Sequence, residues 1–180
     1  MAERFDVALM STKGMSVTAS RQLIDALAAM GVRLYVLHDF DISGFSIRKT
    51  FTESGRRHEF KNRLDYVDIG LRLADVERLS LQSEPVPLNR SGDSGKLAKR
   101  RASLIKRLTI NGASEDEIDF LLGEGDIGQR VELNAMTSDD FVAFVEEKLA
   151  DHRAAKGRAG HLDPCERARQ ADRGAPHRRA

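Results

Sequence analysis

The chain has 180 residues, of which 41% are hydrophobic and 32% charged, and its formal net charge is +1. This length is enough for one ordinary domain with its own core, and no apolar run approaches the roughly 20 residues that cross a bilayer. Glu3 and Asp6 interrupt any signal-peptide pattern, and the single cysteine excludes an internal disulfide framework. We therefore expect a globular protein of the reducing cytoplasm, without a membrane segment.

The first half of the chain alternates the patterns of strands and helices. The predicted elements are a strand over 5–10, a helix over 19–30, a strand over 32–38, a helix from 43 to about 51 and a strand over 64–71. Thr18 or Ser16 can cap the first helix, and Gly31 can end it because glycine tolerates a left-handed backbone. The unbroken apolar run of the second strand predicts burial on both faces, as in a parallel sheet covered by helices. This order of elements predicts an α/β fold.

The second half is less regular and is predicted to be mostly helical. Two prolines extend residues 84–87, and helices are predicted over 96–108, after Ser114, and from Thr137 or Ser138, with an extended piece over 130–136. Ser114 and Glu117 have the spacing of a capping box. The apolar side of the helix over 96–108 is expected to consist of Leu97, Leu104, Ile105 and Leu108.

Residues 151–180 differ in composition from the rest of the chain. They contain one Leu and no Val, Ile, Phe, Tyr or Met, and they carry eight Lys or Arg against four acids. Such a segment cannot bury enough apolar surface to offset the entropy that is lost on ordering. We therefore divide the chain into a domain over 1–150 and a basic tail over 151–180, which we expect to be disordered or a frayed helix.

Two aspartates, Asp39 and Asp41, follow the second predicted strand. Residues i and i+2 of a strand point to the same face, so the two carboxylates aim together if the strand persists that far. Open α/β sheets bind ligands at the carboxyl ends of their strands, and two carboxylates suit magnesium. Alternatively, Asp41 caps the helix that begins near Ser43, and Asp39 is a solvated strand end. His38 could support the pair, although one histidine at a strand end is more often structural.

Four segments, in the same order along the chain, resemble one known family. The segment LHDFDISGFSI over 37–47 resembles the second acidic motif of Toprim domains, the magnesium-binding fold of topoisomerases, primases and related nucleases. The segment MSTKGMSVTASRQLIDAL over 10–27 is similar to the stretch before that motif in the topoisomerase VI A subunit and its meiotic double-strand-break relative. Residues 66–79 resemble the family's next strand and a leucine-containing segment, and residues 130–149 resemble its late glutamate-containing strand and helix.

The resemblance implies a Toprim parallel sheet that binds Mg2+ through three acidic positions, two of which match Asp39 and Asp41. The third is a glutamate on an earlier strand, for which we find no match, so we expect the first strand to be missing and the chain to be an N-terminally truncated fragment. Family members form homodimers and cleave DNA with a tyrosine on a winged-helix domain, in some cases beside an ATPase partner subunit. Tyr35 and Tyr66 are expected to be buried in strands and are not assigned as nucleophiles, and Glu132, which matches the late strand, is treated as structural. We expect no DNA cleavage by this chain alone.

Several basic residues are candidate contacts to DNA phosphates. Lys13 lies in a turn before a helix N-terminus, where a cation and backbone N–H groups can meet a phosphate. Arg21 matches the family's helix arginine and could contact DNA or brace the acidic site. The segment 96–107 holds six Lys or Arg, from which Lys99 and Arg100 are chosen as backbone contacts. For each of these residues an ordinary solvated side chain is the alternative.

The sequence thus predicts a Toprim-type module that binds magnesium and the DNA backbone and normally supports strand cleavage by a tyrosine-bearing domain. One alternative is a metal-dependent nuclease module of a plasmid-defence system, whose nuclease subunit carries a related Toprim domain. Another is a non-catalytic α/β interaction domain in which the aspartates only cap a helix.

Overall fold

The computed structural model describes residues 7–11, 17–47, 50, 59–88 and 94–156. Within these ranges the helices are α1 (Val17–Ala29), α2 (Leu73–Arg78), α3 (Ser94–Ile110), α4 (Glu115–Leu122) and α5 (Ser138–Lys156). The strands there are β1 (Arg33–Val36), β2 (Asp65–Asp68), β3 (Glu84–Pro87) and β4 (Ile127–Arg130), and short 3-10 turns cover Gly44–Ser46 and Leu133–Ala135. No helix in the described part of the chain is long and apolar enough to span a membrane.

The strands form two small sheets. β1 and β2 are parallel, with Arg33 opposite Asp65 and Val36 opposite Asp68, whereas β3 and β4 are antiparallel. The α/β prediction is confirmed in its coarse form, a mixed fold with a two-stranded parallel sheet flanked by helices. The prediction that β1 is buried on both faces is wrong, because its four residues are only half-buried and the described sheet gives it one neighbouring strand.

A left-handed glycine ends α1, as the sequence predicts. Gly31 has a φ of +69°, and its N–H donates to the carbonyl of Ala28 at 3.0 Å. The N–H of Val32 donates to the carbonyl of Leu27 at 3.1 Å. These two bonds satisfy carbonyl groups that the end of the helix would leave unpaired, and they turn the chain directly into β1.

A buried aspartate of α1 fixes the segment that leads into β2. Asp25 is 8% exposed, and its carboxylate accepts the backbone N–H groups of Lys61 at 3.1 Å and Asn62 at 3.0 Å. The side-chain amide of Asn62 donates to the same carboxylate at 3.1 Å. Because this carboxylate joins α1 to the residues just before β2, it helps to hold the two parallel strands side by side.

The helices α3 and α4 follow the predicted pattern, with one exception. In the capping box, the Ser114 hydroxyl accepts the N–H of Glu117 at 3.2 Å, and the Ser114 N–H donates to the Glu117 carboxylate at 2.9 Å. Leu104 and Leu108 of α3 are buried, as expected. Ile105, which was expected beside them, is 44% exposed because the buried face of α3 is narrower than the predicted one.

Two predicted strands differ from the structure, and parts of other predicted segments lie outside the described residues. Residues 7–10 are not a strand, and Leu9 is 85% exposed, so the strand prediction is wrong for this part of 5–10. The late strand was expected over 130–136, but β4 lies earlier because its pairing with β3 fixes its position. The helix predicted from residue 43 to about 51 begins as the 3-10 turn Gly44–Ser46, and its residues 48, 49 and 51 lie outside the described residues, as do the turn around Lys13 and the tail from 157 onward.

Among the described residues, nearly all buried hydrophobic side chains belong to one cluster, which forms the core. Its fully buried members are Phe40, Leu71, Leu108, Leu121, Leu122, Val131 and Phe144. The Phe40 ring packs on Phe45 at 5.9 Å and on Phe120 at 5.6 Å between ring centres. Since Phe40 stands between Asp39 and Asp41, its burial anchors the acidic pair to the core.

Candidate metal and phosphate site

A backbone bridge holds the acidic pair against the end of β4. The N–H of Phe40 donates to the Val131 carbonyl at 2.9 Å, and the N–H of Val131 donates to the Phe40 carbonyl at 3.0 Å. Both side chains are completely buried. Because successive residues of extended backbone face opposite sides, Asp39 and Asp41 lie together on the face opposite to the Phe40 ring.

A cation and a third carboxylate lie on the same face. In an antiparallel bridge the residues that flank the two paired positions share a face, which here adds Arg130 and Glu132 to Asp39 and Asp41. The Arg130 guanidinium lies 2.8 Å from both Glu132 and Glu84. The pKa of Arg130 is raised chiefly by its hydrogen bond to Glu84, which outweighs the opposing effect of desolvation, and the charges of Glu132 and Asp41 add to the rise. We call Asp39, Asp41, Arg130 and Glu132 the acidic edge.

Both aspartates already accept backbone hydrogen bonds. Asp41 Oδ1 accepts the N–H of Gly44 and so closes the turn that opens the 3-10 segment, which is the capping role considered above. Asp39 Oδ1 accepts the N–H of Leu133 at 2.8 Å. Asp39 is therefore more than a solvated strand end, because this half-buried side chain fixes the start of the turn after β4.

The remaining oxygens of the pair suit magnesium. The Oδ2 atoms of Asp39 and Asp41 are outside these two hydrogen bonds, and both side chains are only half-buried. Magnesium usually takes one or two protein carboxylates and completes its shell with water and phosphate oxygens. In the ranges that the structure describes, no three His, Cys, Asp or Glu side chains are grouped closely enough to hold a metal ion. Among the described residues the site therefore offers a metal ion two carboxylates rather than three.

The imidazole of His38 is buried between two glycines at the ends of the parallel strands. Its Nδ1 lies 2.8 Å from the carbonyl oxygen of Asp39, and its Nε2 lies 3.0 Å from Oδ1 of Asp68. A Cβ atom on Gly44 or Gly70 would overlap the ring. Both ring nitrogens face oxygen acceptors, and only the protonated imidazolium has an N–H on each nitrogen.

The charged forms of His38 and Asp68 are both favoured. Burial lowers the pKa of His38, but the Asp68 carboxylate and the Asp39 carbonyl outweigh it, so that pKa lies above its ordinary value. Burial raises the pKa of Asp68, but His38 and the N–H of Gly70 outweigh it, so that pKa lies below its usual range. The Nε2 atom has no aligned hydrogen-bond partner, so its contact with Asp68 is an ion pair. His38 therefore supports the acidic edge through the backbone of Asp39.

The predicted phosphate contacts are not brought to one place. Lys13 lies outside the described residues. Arg21 braces the fold, since its Nε donates to the Thr50 carbonyl at 3.0 Å and its guanidinium lies 6.0 Å from the centre of the Phe60 ring. Lys99 and Arg100 are exposed on α3. Of the described candidates, only these two present free surface cations.

The tyrosines lie where the sequence places them. Tyr35 is in β1 and Tyr66 is in β2, and both are half-buried rather than buried. The Tyr35 ring lies 6.5 Å from the His152 ring between centres. Their strand positions agree with the structural role assigned to them.

Among the described residues, sequence reasoning missed three ionic contacts that join different elements and involve a buried side chain. The Arg72 guanidinium binds both carboxylate oxygens of the buried Glu117 at 2.7 Å, and Lys148 lies 2.8 Å from the buried Asp75. Glu117 was found as a capping residue, but its second partner is 45 residues away in the chain. The third contact is His38 with Asp68. The only local signal for it is that both residues end neighbouring parallel strands.

These features define a mixed α/β domain that places carboxylates just beyond the carboxyl end of a parallel strand. A family model described as "Protein of unknown function C-terminus (DUF2399)" matches residues 1–124. The match covers more than half of the chain, so the chain belongs to this family. No curated protein and no solved structure matches the chain.

Proposed function

We propose that the chain is a Toprim-type module that binds magnesium and the DNA backbone, similar to the topoisomerase VI A subunit. The observation that carries the proposal is the position of Asp39 and Asp41. The two carboxylates share one face immediately after β1, which is parallel to β2, and this is the place where open α/β sheets bind their ligands.

The residues of the acidic edge have separable roles in this proposal. Asp39 and Asp41 would hold Mg2+, which when bound stabilises negative charge on the phosphate oxygens of a DNA strand. Phe40 keeps the two carboxylates in place through its burial and its bridge to Val131, the residue after β4. His38 holds the Asp39 carbonyl at 2.8 Å and so fixes the backbone that carries the first ligand.

The proposal also names partners and a location. A nucleophilic tyrosine would come from a winged-helix domain, and an ATPase subunit and a second copy of the module would complete the assembly. Tyr35 and Tyr66 do not supply that nucleophile, because both are strand residues. The cytoplasm is the proposed location, since it holds DNA and suits a chain with one cysteine.

A non-catalytic interaction domain is the second candidate. The hydrogen bonds from Gly44 to Asp41 and from Leu133 to Asp39 favour it, because they give both carboxylates a structural use. The guanidinium of Arg130 on the same face also supplies a positive charge without any metal. In this candidate the acidic edge fixes the turn after β4 and has no ligand.

A magnesium titration followed by proton–nitrogen NMR separates the two candidates. The amides of Gly44 and Leu133 are the reporters, because each donates to one of the two aspartates. At constant ionic strength we expect both signals to move and saturate at millimolar Mg2+, and to stay still in Asp39→Asn and Asp41→Asn. Asp119→Asn removes an exposed carboxylate of α4 and is the matched control, which should behave as the wild type.

If the wild-type amides of Gly44 and Leu133 do not respond to millimolar Mg2+, the metal proposal fails and the interaction domain is favoured. Incubation with supercoiled plasmid addresses the plasmid-defence alternative. Metal-dependent nicking by this chain that disappears in Asp39→Ala would identify a nuclease in its own right.

A further inference from the structure

The basic residues of α3 lie on one side of the helix. At about 100° per residue, five cations fall within roughly a third of the helix circumference, and Ser103 lies at the centre of their arc. The five are Lys96, Lys99, Arg100, Lys106 and Arg107. All five and Ser103 are exposed. We call these six residues the basic stripe.

The packing of α3 fixes the direction in which the stripe faces. Leu104 and Leu108 are buried in the core on another side of the helix. Arg101 leaves the stripe, and its guanidinium donates to the carbonyls of Leu122 at 2.9 Å and Gly123 at 2.8 Å at the end of α4. The core contacts and this arginine together prevent α3 from turning, so the stripe is held toward solvent.

Four of the five cations in the stripe have no carboxylate partner among the described residues. No acidic residue occurs within Ser94–Ile110, and in the described ranges Lys99, Arg100, Lys106 and Arg107 form no ion pair. Cations elsewhere in the described ranges differ from these four, because they lie within 3.3 Å of a carboxylate oxygen. They are Arg33, Arg72, Arg78, Arg130 and Lys148. Like charges one turn apart repel each other, so an anionic partner would relieve the repulsion along α3.

The arrangement around Ser103 suits a row of phosphates. Lys99 and Arg100 precede Ser103 by four and three residues, and Lys106 and Arg107 follow it by three and four. These spacings make all four its neighbours on the helix surface. From Lys96 to Arg107 the stripe extends over about 16 Å at 1.5 Å per residue, which is longer than one phosphate group requires.

The residue types in α3 indicate which form of nucleic acid fits. Binding of single strands relies on aromatic side chains that stack on bases, and α3 has none. Direct reading of bases commonly uses a helix inserted in the major groove, whereas one side of α3 is packed on the core through Leu104 and Leu108. Lys and Arg rows that contact phosphates bind duplexes without regard to sequence.

We propose that the basic stripe binds the phosphate backbone of double-stranded DNA, independently of magnesium and of base sequence. This inference rests on the proposed function in one respect, which is that DNA is the partner. It assigns the contact to a row centred on Ser103 and gives Lys96, Lys106 and Arg107 the same role as Lys99 and Arg100.

The proposal fixes a quantitative signature. With four to five phosphate contacts, the logarithm of the association constant should fall against the logarithm of the salt concentration with a slope of about −4. Removal of one contacting cation should reduce the steepness of that slope by about 1, equally for all sequences.

Fluorescence anisotropy with the full chain tests this signature. Two labelled DNA duplexes of unrelated sequence, titrated in EDTA at several NaCl concentrations, should bind equally. In Lys99→Ala/Arg107→Ala the slope should fall to about −2, and the affinity at low salt should fall by about tenfold or more. Lys61→Ala/Arg63→Ala removes two exposed cations of the segment before β2 and should change neither quantity.

Ser103 supplies a second pair of variants. Ser103→Glu places a carboxylate among four cations and should weaken duplex binding by about tenfold, whereas Ser103→Ala should leave it within about twofold. Equal slopes in the stripe variant and the control variant would overturn the proposal and assign binding elsewhere in the chain. Failure to bind duplex DNA at low salt, or tighter binding of single-stranded DNA or of duplex RNA, would also overturn it.

The DNA-binding proposal and the magnesium proposal can fail independently of each other. Because EDTA removes divalent ions, duplex binding by the stripe does not depend on Asp39 or Asp41. Duplex binding together with silent Gly44 and Leu133 amides would retain the stripe and reject the metal site. Responsive amides in a chain that does not bind DNA would do the reverse.

Discussion

Nε2 of His38 lies 3.0 Å from Oδ1 of Asp68, and this ion pair joins the carboxyl ends of the two parallel strands. The ring also contacts the Asp39 carbonyl at 2.8 Å, and it occupies a slot that only glycines at positions 44 and 70 leave open. The same interaction that closes the sheet edge therefore positions the backbone of the candidate metal site. Three of the predictions below concern this group and its surroundings.

The free energy of unfolding should depend on pH through His38 and Asp68. The raised pKa of His38 means that its contribution is complete below the unfolded value of about 6.5 and is lost as the pH rises through the folded value. The lowered pKa of Asp68 means that its contribution is present above about 3.9 and is lost as the pH falls through the folded value. Both contributions are therefore complete between about pH 4 and pH 6.5.

Urea unfolding at several pH values measures this dependence. His38→Gln should lower stability at pH 6 by about 1–2 kcal/mol and should flatten the decline between neutral and alkaline pH. Asp68→Asn should flatten the same decline, because it removes the partner that raises the pKa of the imidazole. A wild-type profile that coincides with that of His38→Gln would contradict the ion pair.

Gly70→Ala should destabilise the fold by steric overlap. A Cβ atom at Gly70 would lie far inside the contact distance of the His38 ring, and overpacking of this kind costs about 1–3 kcal/mol. Gly112→Ala is the control, because Gly112 has a φ of +86° but open space around it, so only its backbone would be strained. In thermal unfolding followed by circular dichroism, Gly70→Ala/His38→Ala should have a higher Tm than Gly70→Ala alone. The smaller side chain at position 38 leaves room for the added Cβ atom. If the double variant is no more stable than the single one, the ring is not the obstacle.

Asp39 should tolerate amidation better than truncation. In Asp39→Asn an oxygen can still accept the N–H of Leu133, so stability should stay within about 0.5 kcal/mol of the wild type. Asp39→Ala leaves that N–H without its acceptor and should cost about 1–2 kcal/mol. Chemical denaturation of both variants checks the difference, and equal losses would show that the hydrogen bond to Leu133 contributes little.

Replacement of Arg101 should destabilise the fold, although the residue lies in a row of basic residues. Its guanidinium donates to three carbonyls, those of Leu122, Gly123 and Gly125, at 2.8–2.9 Å. Lysine cannot reproduce this forked geometry, so Arg101→Lys should cost about 1–2 kcal/mol in unfolding free energy. Arg100→Lys is the matched control and should be neutral, because Arg100 is exposed. A neutral Arg101→Lys would show that α3 does not depend on this contact.

Local signals made several elements predictable from the sequence. Gly31 ends α1 where expected because a left-handed residue is required there, and the capping box at Ser114 begins α4 because its two bonds involve residues three apart. The strands β1 and β2 were found from short apolar runs, although both are shorter than predicted. These features depend on a few neighbouring residues, which is what a single sequence contains.

The candidate site was predictable only in part, because its geometry depends on distant residues. The position of Asp39 and Asp41 after β1 follows from local pattern. The bridge from Phe40 to Val131 and the bond from Leu133 to Asp39 join residues more than 90 apart, and no local pattern encodes them. The strand predicted over 5–10 failed for its described part because an apolar run alone does not provide a neighbouring strand.

Paramagnetic broadening by Mn2+ tests the central claim most directly. Mn2+ binds the same oxygen ligands as Mg2+ and broadens only the NMR signals of nuclei near the ion. The account predicts that substoichiometric Mn2+ broadens the amides of Gly44 and Leu133 first, that excess Mg2+ restores them, and that Asp39→Asn abolishes the effect. Broadening centred on the acidic first turn of α4, or no selective broadening, would contradict a metal site at Asp39 and Asp41.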